Sequence, residues 1–127
     1  MSLNFREINS LGNIIDDTFG RSRDVNGSFK VLGKITGEDR MQITCITVVN
    51  LLNRSDMKNE ADKAFDQLNK ACNEFLKDVK KQFKAASGRA LKTKELGHNS
   101  STELMSMSAY SPKGTALIRC VYNFDIS

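Results

Sequence analysis

A chain of 127 residues, 39% hydrophobic and 27% charged with a net charge of +4, has the length and balance of one globular domain. That excludes a disordered polymer and makes two independent domains unexpected. No apolar run approaches the roughly 20 residues of a membrane helix, and residues 1–6 lack the basic-then-apolar profile of a secretory signal, so the expected setting is a reducing cytoplasm or a particle assembled in one, such as a virion.

The first expected element is a helix over residues 4–19. Leu3, Phe5, Ile8, Leu11, Ile15 and Phe19 recur at three- and four-residue spacing and so share one stripe. Asn4 and Glu7 are spaced as a reciprocal capping pair, and Gly20 is placed to stop the helix. Residues 20–27 have loop chemistry throughout. The period then changes to two, predicting a hairpin over residues 28–52. Phe29, Val31 and Ile35 point one way and Lys30 and Lys34 the other, with Gly33 as a bulge and Gly37-Glu38-Asp39 as the turn. In the second strand Met41, Ile43, Cys45, Thr47, Val49 and Leu51 share a face. Beyond Cys45 the opposite face also turns apolar through Ile46, Val48 and Leu52, which calls for cover on both sides.

A long amphipathic helix is predicted over residues 56–86, capped by Ser55 or Asp56. Ala61, Phe65, Leu68, Cys72, Phe75, Leu76, Val79, Phe83 and Ala86 make its apolar stripe. Acids crowd its start (Asp56, Glu60, Asp62) and lysines its end (Lys80, Lys81, Lys84), as the helix dipole favours, and Gly88 stops it. A three-stranded meander follows over residues 89–126. Its first strand, 89–96, is short and charged, as an edge would be. Gly97-His98-Asn99-Ser100-Ser101 forms a turn, and residues 102–110 a second strand. Ser111-Pro112-Lys113-Gly114 forms a type I turn. The last strand turns Ile118, Cys120, Tyr122, Phe124 and Ile126 inward. The order α-β-β-α-β-β-β describes a single α+β domain spanning residues 1–127, with an antiparallel sheet of about five strands and both helices packed on it.

Most site chemistries find no support in the spacing. Cys45, Cys72 and Cys120 are far apart, odd in number and each on an apolar face, which reads as buried free thiols. His98 is the only histidine, and neither it nor the cysteines have partners at metal-ligand spacing. Asp16-Asp17 and Glu38-Asp39 are adjacent pairs, not carboxylate dyads. Neither glycine-rich phosphate signature occurs. The expectation is a non-enzyme without cofactor or metal.

Charge is more informative. Residues 77–94 carry seven bases (Lys77, Lys80, Lys81, Lys84, Arg89, Lys92, Lys94) and one acid, a net +6 in a chain whose total is +4. Arg21 and Arg23 extend the patch if the first loop folds nearby. Such a stripe suits a phosphate backbone or the acidic surface of a partner. The leading expectation is a structural assembly subunit, one copy of a homo-oligomer or a component of a larger particle such as a virus or phage head or tail. Its candidate interface residues are Ile46, Val48, Leu52, Met105 and Met107. The alternative is a nucleic-acid-binding module that uses the basic stripe for sequence-independent phosphate contacts.

Overall fold

The computed structural model describes residues 3–21, 29–37, 39–51, 54–107 and 114–127; the side chains at 19–21, 29, 54 and 105–107 lie outside that description. Two helices, α1 (Phe5–Arg21) and α2 (Met57–Ser87), pack on one face of a four-stranded antiparallel sheet. Its strands are β1 (Phe29–Gly37), β2 (Arg40–Leu51), β3 (Thr93–Met107) and β4 (Gly114–Ile126), in the spatial order β1-β2-β4-β3. The chain crosses from β2 through α2 to β3, then returns inward as β4. The two longest ladders therefore both use β4.

Capping starts α1 as its sequence requires. The Glu7 N–H donates to Asn4 Oδ1 at 2.8 Å, and the Asn4 N–H donates to Glu7 Oε1 at 3.0 Å. Leu3, Leu11 and Ile15 are buried, but Phe5 is 79% exposed and leaves the stripe. Thr18 is fully buried instead, and its hydroxyl accepts from Gln82 Nε2 of α2 at 2.9 Å. Gly20 does not end the helix, which continues to Arg21.

In α2 the buried residues are Ala61, Ala64, Leu68, Cys72, Phe75, Val79 and Phe83, a continuous three- and four-residue stripe. Each large member contributes roughly 1.5–3 kcal/mol by leaving water, so packing holds this helix more than propensity does. Gly88 closes it in the left-handed conformation (φ 73°), donating its N–H to the Lys84 carbonyl at 2.8 Å. At the other end Asp56 sits at the N-cap position without a side-chain capping bond, because a 3-10 turn, Arg54–Asp56, leads into the helix. Ala86 is exposed beyond the last buried turn.

The sheet corrects three sequence expectations. First, the described residues form four strands and not five. Residues 89–92 precede the sheet, and the expected turn at 97–101 lies inside β3, which pairs with β4 from Thr93↔Ile126 to Met107↔Gly114. The thirteen alternating residues of β4 offer a ladder longer than either predicted half-strand. The signal at Gly97 was a bulge: Leu96 is the extra residue and Gly97 takes φ 156°. Ser, Asn and Thr at 99–102 are edge-strand polar residues, not turn residues. Second, Gly33 is no bulge. It pairs regularly with Ile43, and the hairpin irregularity lies between Ile35 and Gly37. Third, with 93–107 a single strand the predicted three-stranded meander reduces to the antiparallel pair β3-β4, and β4 takes the interior place beside β2. The expected turn at 111–113 falls outside the described residues.

Alternation in β2 and β4 sets the core. Met41, Ile43, Cys45, Thr47 and Leu51 are buried under the helices, as are Ile118, Cys120, Tyr122, Phe124 and Ile126. Arg89 then ties the end of α2 to the start of α1, its Nη1 donating to both Glu7 carboxylate oxygens at 3.0 and 3.1 Å. The Asn4 backbone N–H and this guanidinium together hold the Glu7 carboxyl below its ordinary value of 4.5. A depressed carboxylate stabilises the fold above its unfolded value and loses that contribution as pH falls through the folded one. Wild type is therefore expected to lose stability below about pH 4.5 more steeply than Glu7→Gln. Urea midpoints between pH 3 and 6 check this, and parallel profiles would refute it.

Candidate functional site

Because both helices lie on one side, no described element covers the opposite face of the sheet. Residues paired across strands share a face, so the register reads off its rows. Leu32 lies beside Thr44 and Val121, Lys30 beside Ile46 and Arg119, and Val48 beside Leu117 and Glu103. Leu32 is 40% and Val48 45% exposed, with Ile46, Leu117 and Val121 half-buried between them. Five aliphatic side chains thus form one strip on the open face. Thr44 and Arg119 stand among them, Lys30, Lys34 and Glu103 border them, and Arg40 is paired with Asp125 toward one end. An apolar centre within a charged rim is the anatomy of a protein interface.

Of the sequence-predicted interface residues, Ile46 and Val48 belong to this strip. Leu52 lies outside the described residues, as do the side chains of Met105 and Met107. Sequence reasoning missed Leu32, Leu117 and Val121. The signal was present, since Leu117 and Val121 share parity with the outward Arg119, and Leu32 shares it with Lys30 and Lys34.

The basic stripe divides between elements. Lys77, Lys81 and Lys84 are exposed on α2 at four- and three-residue spacing, with Lys80 half-buried beside them. Arg89 is engaged with Glu7. Lys92 and Lys94 are exposed at the entry to β3, where the Lys92 N–H donates to the Ser127 carbonyl and Lys94 lies opposite Asp125. The Arg21 side chain and all of Arg23 lie outside the described residues.

A polar groove of about 350 Å³ opens where α2 ends its cover of the sheet, between Phe65, Asp66 and Asn69 on the helix and Glu95, His98, Ser100, Cys120 and Tyr122 on the strands. His98 stands in β3 and not in a turn. Its Nδ1 is 3.9 Å from Glu95, and its ring centroid is 5.5 Å from that of Tyr122. Burial pushes the Tyr122 phenol up, and its hydrogen bond to Cys120 adds to the shift. Burial likewise raises the Cys120 thiol. Both groups are therefore neutral at physiological pH, and neither is an activated nucleophile.

The three cysteines, distant in sequence, converge in the core as free buried thiols. Cys45 and Cys120 face each other across β2 and β4, and the hydrogen bond to Cys72 of α2, with burial, raises the Cys45 thiol. Among the described residues no group of three or more His, Cys, Asp or Glu is arranged to hold a metal ion. No helix among them is long and apolar enough to cross a membrane. No protein-family model, curated protein or solved structure matches the chain.

Proposed function

We propose that this chain is a structural assembly subunit, working as one copy of a homo-oligomer or as a component of a larger particle. The observation that carries this reading is the open sheet face, where Leu32, Ile46, Val48, Leu117 and Val121 form an aliphatic strip that the chain's own helices leave uncovered. Removing such a strip from water drives association, and the charged residues around it set partner and orientation.

Size exclusion with light scattering, at low and high salt and across a wide concentration range, should give a mass above the 14.2 kDa of one chain. Val48→Asp should shift that distribution toward the monomer while leaving the thermal transition in place. A wild-type protein that stays monomeric throughout would sink the homo-oligomeric form of this reading. Phosphate contact by α2 is the second reading, supported by the exposure of Lys77, Lys81 and Lys84 along one helical stripe. The two are compatible, because α2 lies on the side of the sheet away from the open face.

A further inference from the structure

Among the described residues the order β1-β2-β4-β3, antiparallel throughout, leaves two edge strands, β1 and β3, that run in opposite directions. We propose that β1 of one copy pairs with β3 of a second copy, so that the chain assembles head to tail through a continuous antiparallel sheet. This rests on the assembly reading above, but it uses the strand edges and not the open face.

Three observations carry it. The first is direction. With an even number of strands, a second copy set beside the first without turning over brings β1 antiparallel to β3. The alternation continues and all helices stay on one side.

The second is the state of the β3 edge. Positions 94–104 are exposed without exception, contain no Pro, and carry no Lys or Arg after Lys94. Edge strands are ordinarily blunted by such residues or by bulges. Here the bulges at Leu96 and Met105 instead bracket a regular ladder of eight residues, 97–104. β1, nine residues long, matches it.

The third is charge. β1 carries Lys30 and Lys34 and no acid, whereas the regular run of β3 carries Glu103 and no Lys or Arg. Pairing β1 with another β1 sets Lys30 against Lys34, a like-charge contact that the β3 edge does not present.

Face matching then selects a register. Lys30 and Glu103 both point to the open side, and setting them opposite aligns residues 29–36 with 97–104. Lys34 then meets Asn99 on the same face, and Ile35 meets His98 on the helix side. A shift of two residues keeps the faces matched but loses the Lys30–Glu103 pair. The contact is heterologous, so it closes into a ring or extends as a filament according to the sheet twist.

Two variants test it by sedimentation velocity. Asn99→Lys/Glu103→Lys on β3 and Lys30→Glu/Lys34→Glu on β1 change only exposed side chains. Each should weaken self-association about tenfold, the β3 variant by setting like charges opposite at two rows and the β1 variant by replacing the Lys30–Glu103 pair with two facing carboxylates. An equimolar mixture of the two should regain wild-type association, because each altered edge then meets its complement. If only the β3 variant weakens association and the mixture does not recover, β3 pairs with itself and the proposal is overturned. If both variants weaken association and the mixture does not recover it, or if both associate as wild type does, the contact lies on the open face, and the assembly reading survives without this inference. A wild-type chain that never associates overturns both.

Discussion

Phe75→Ala is expected to lower the unfolding free energy by about 3–5 kcal/mol. Phe75 is 1% exposed and sits at the middle of the α2 stripe. Its ring lies directly over the β1 backbone at Gly33, where a Cβ would stand 3.0 Å from Cζ and 3.1 Å from Cε1. The space left by the ring would be floored by a strand held in a regular ladder with β2, so it could not collapse. A cavity that cannot relax costs its full volume in lost contacts, in addition to the lost transfer free energy. Against a typical total of about 5–15 kcal/mol, the variant would be marginal. Urea unfolding followed by circular dichroism should show a lower midpoint at an unchanged slope. The half-buried Phe65 provides the internal control, and its truncation should cost less than half as much. Equal losses at the two positions would contradict the packing described.

Gly33→Val should destabilise by about 1–3 kcal/mol or more through overpacking, although strand propensity alone argues for the reverse sign. Gly is unfavourable inside a strand and Val is favoured there. At this position the backbone conformation requires no glycine, yet the space does. A Cβ would lie 2.5 Å from Ile15 Cγ2 as well as against the Phe75 ring. Ile15 is 2% exposed and Phe75 1%, so neither can swing away into solvent. The bare backbone of β1 is what lets α1 and α2 both descend onto the sheet. Thermal melts of Gly33→Ala and Gly33→Val should fall in that order. Ile15→Leu, which removes the β-branch, should recover part of the loss in the Gly33→Ala background. A rise in melting temperature for either glycine variant would show that the helices stand further off than described. Phe75→Ala and Gly33→Val share these atoms, so their effects should not add.

The elements most legible in the sequence were those whose signal is local and long. The α2 stripe, its Gly88 stop, the Asn4–Glu7 cap and the inward faces of β2 and β4 all follow from periodicity and capping chemistry. Local signals failed where two structures share one composition. Gly97-His98-Asn99-Ser100-Ser101 has the chemistry of a turn and equally that of an exposed edge strand. What decided it was the length of β4, which lies some twenty residues away. Gly33 was visible as an anomaly in a strand, but its cause, contact with side chains from two helices, is not local.

The candidate site divides the same way. The sequence by itself determined that Ile46 and Val48 are apolar on the outward parity of β2, and that lysines gather near the end of α2. Only the tertiary structure decided that Leu32, Leu117 and Val121 join Ile46 and Val48 in one uncovered strip. It also decided that Arg89 is engaged with Glu7 and that the three thiols meet. The physical reason is that a sequence pattern specifies which face of an element is apolar. Which elements become neighbours, and which apolar face is left without cover, depends on the order of strands in the sheet and on the side from which the helices pack.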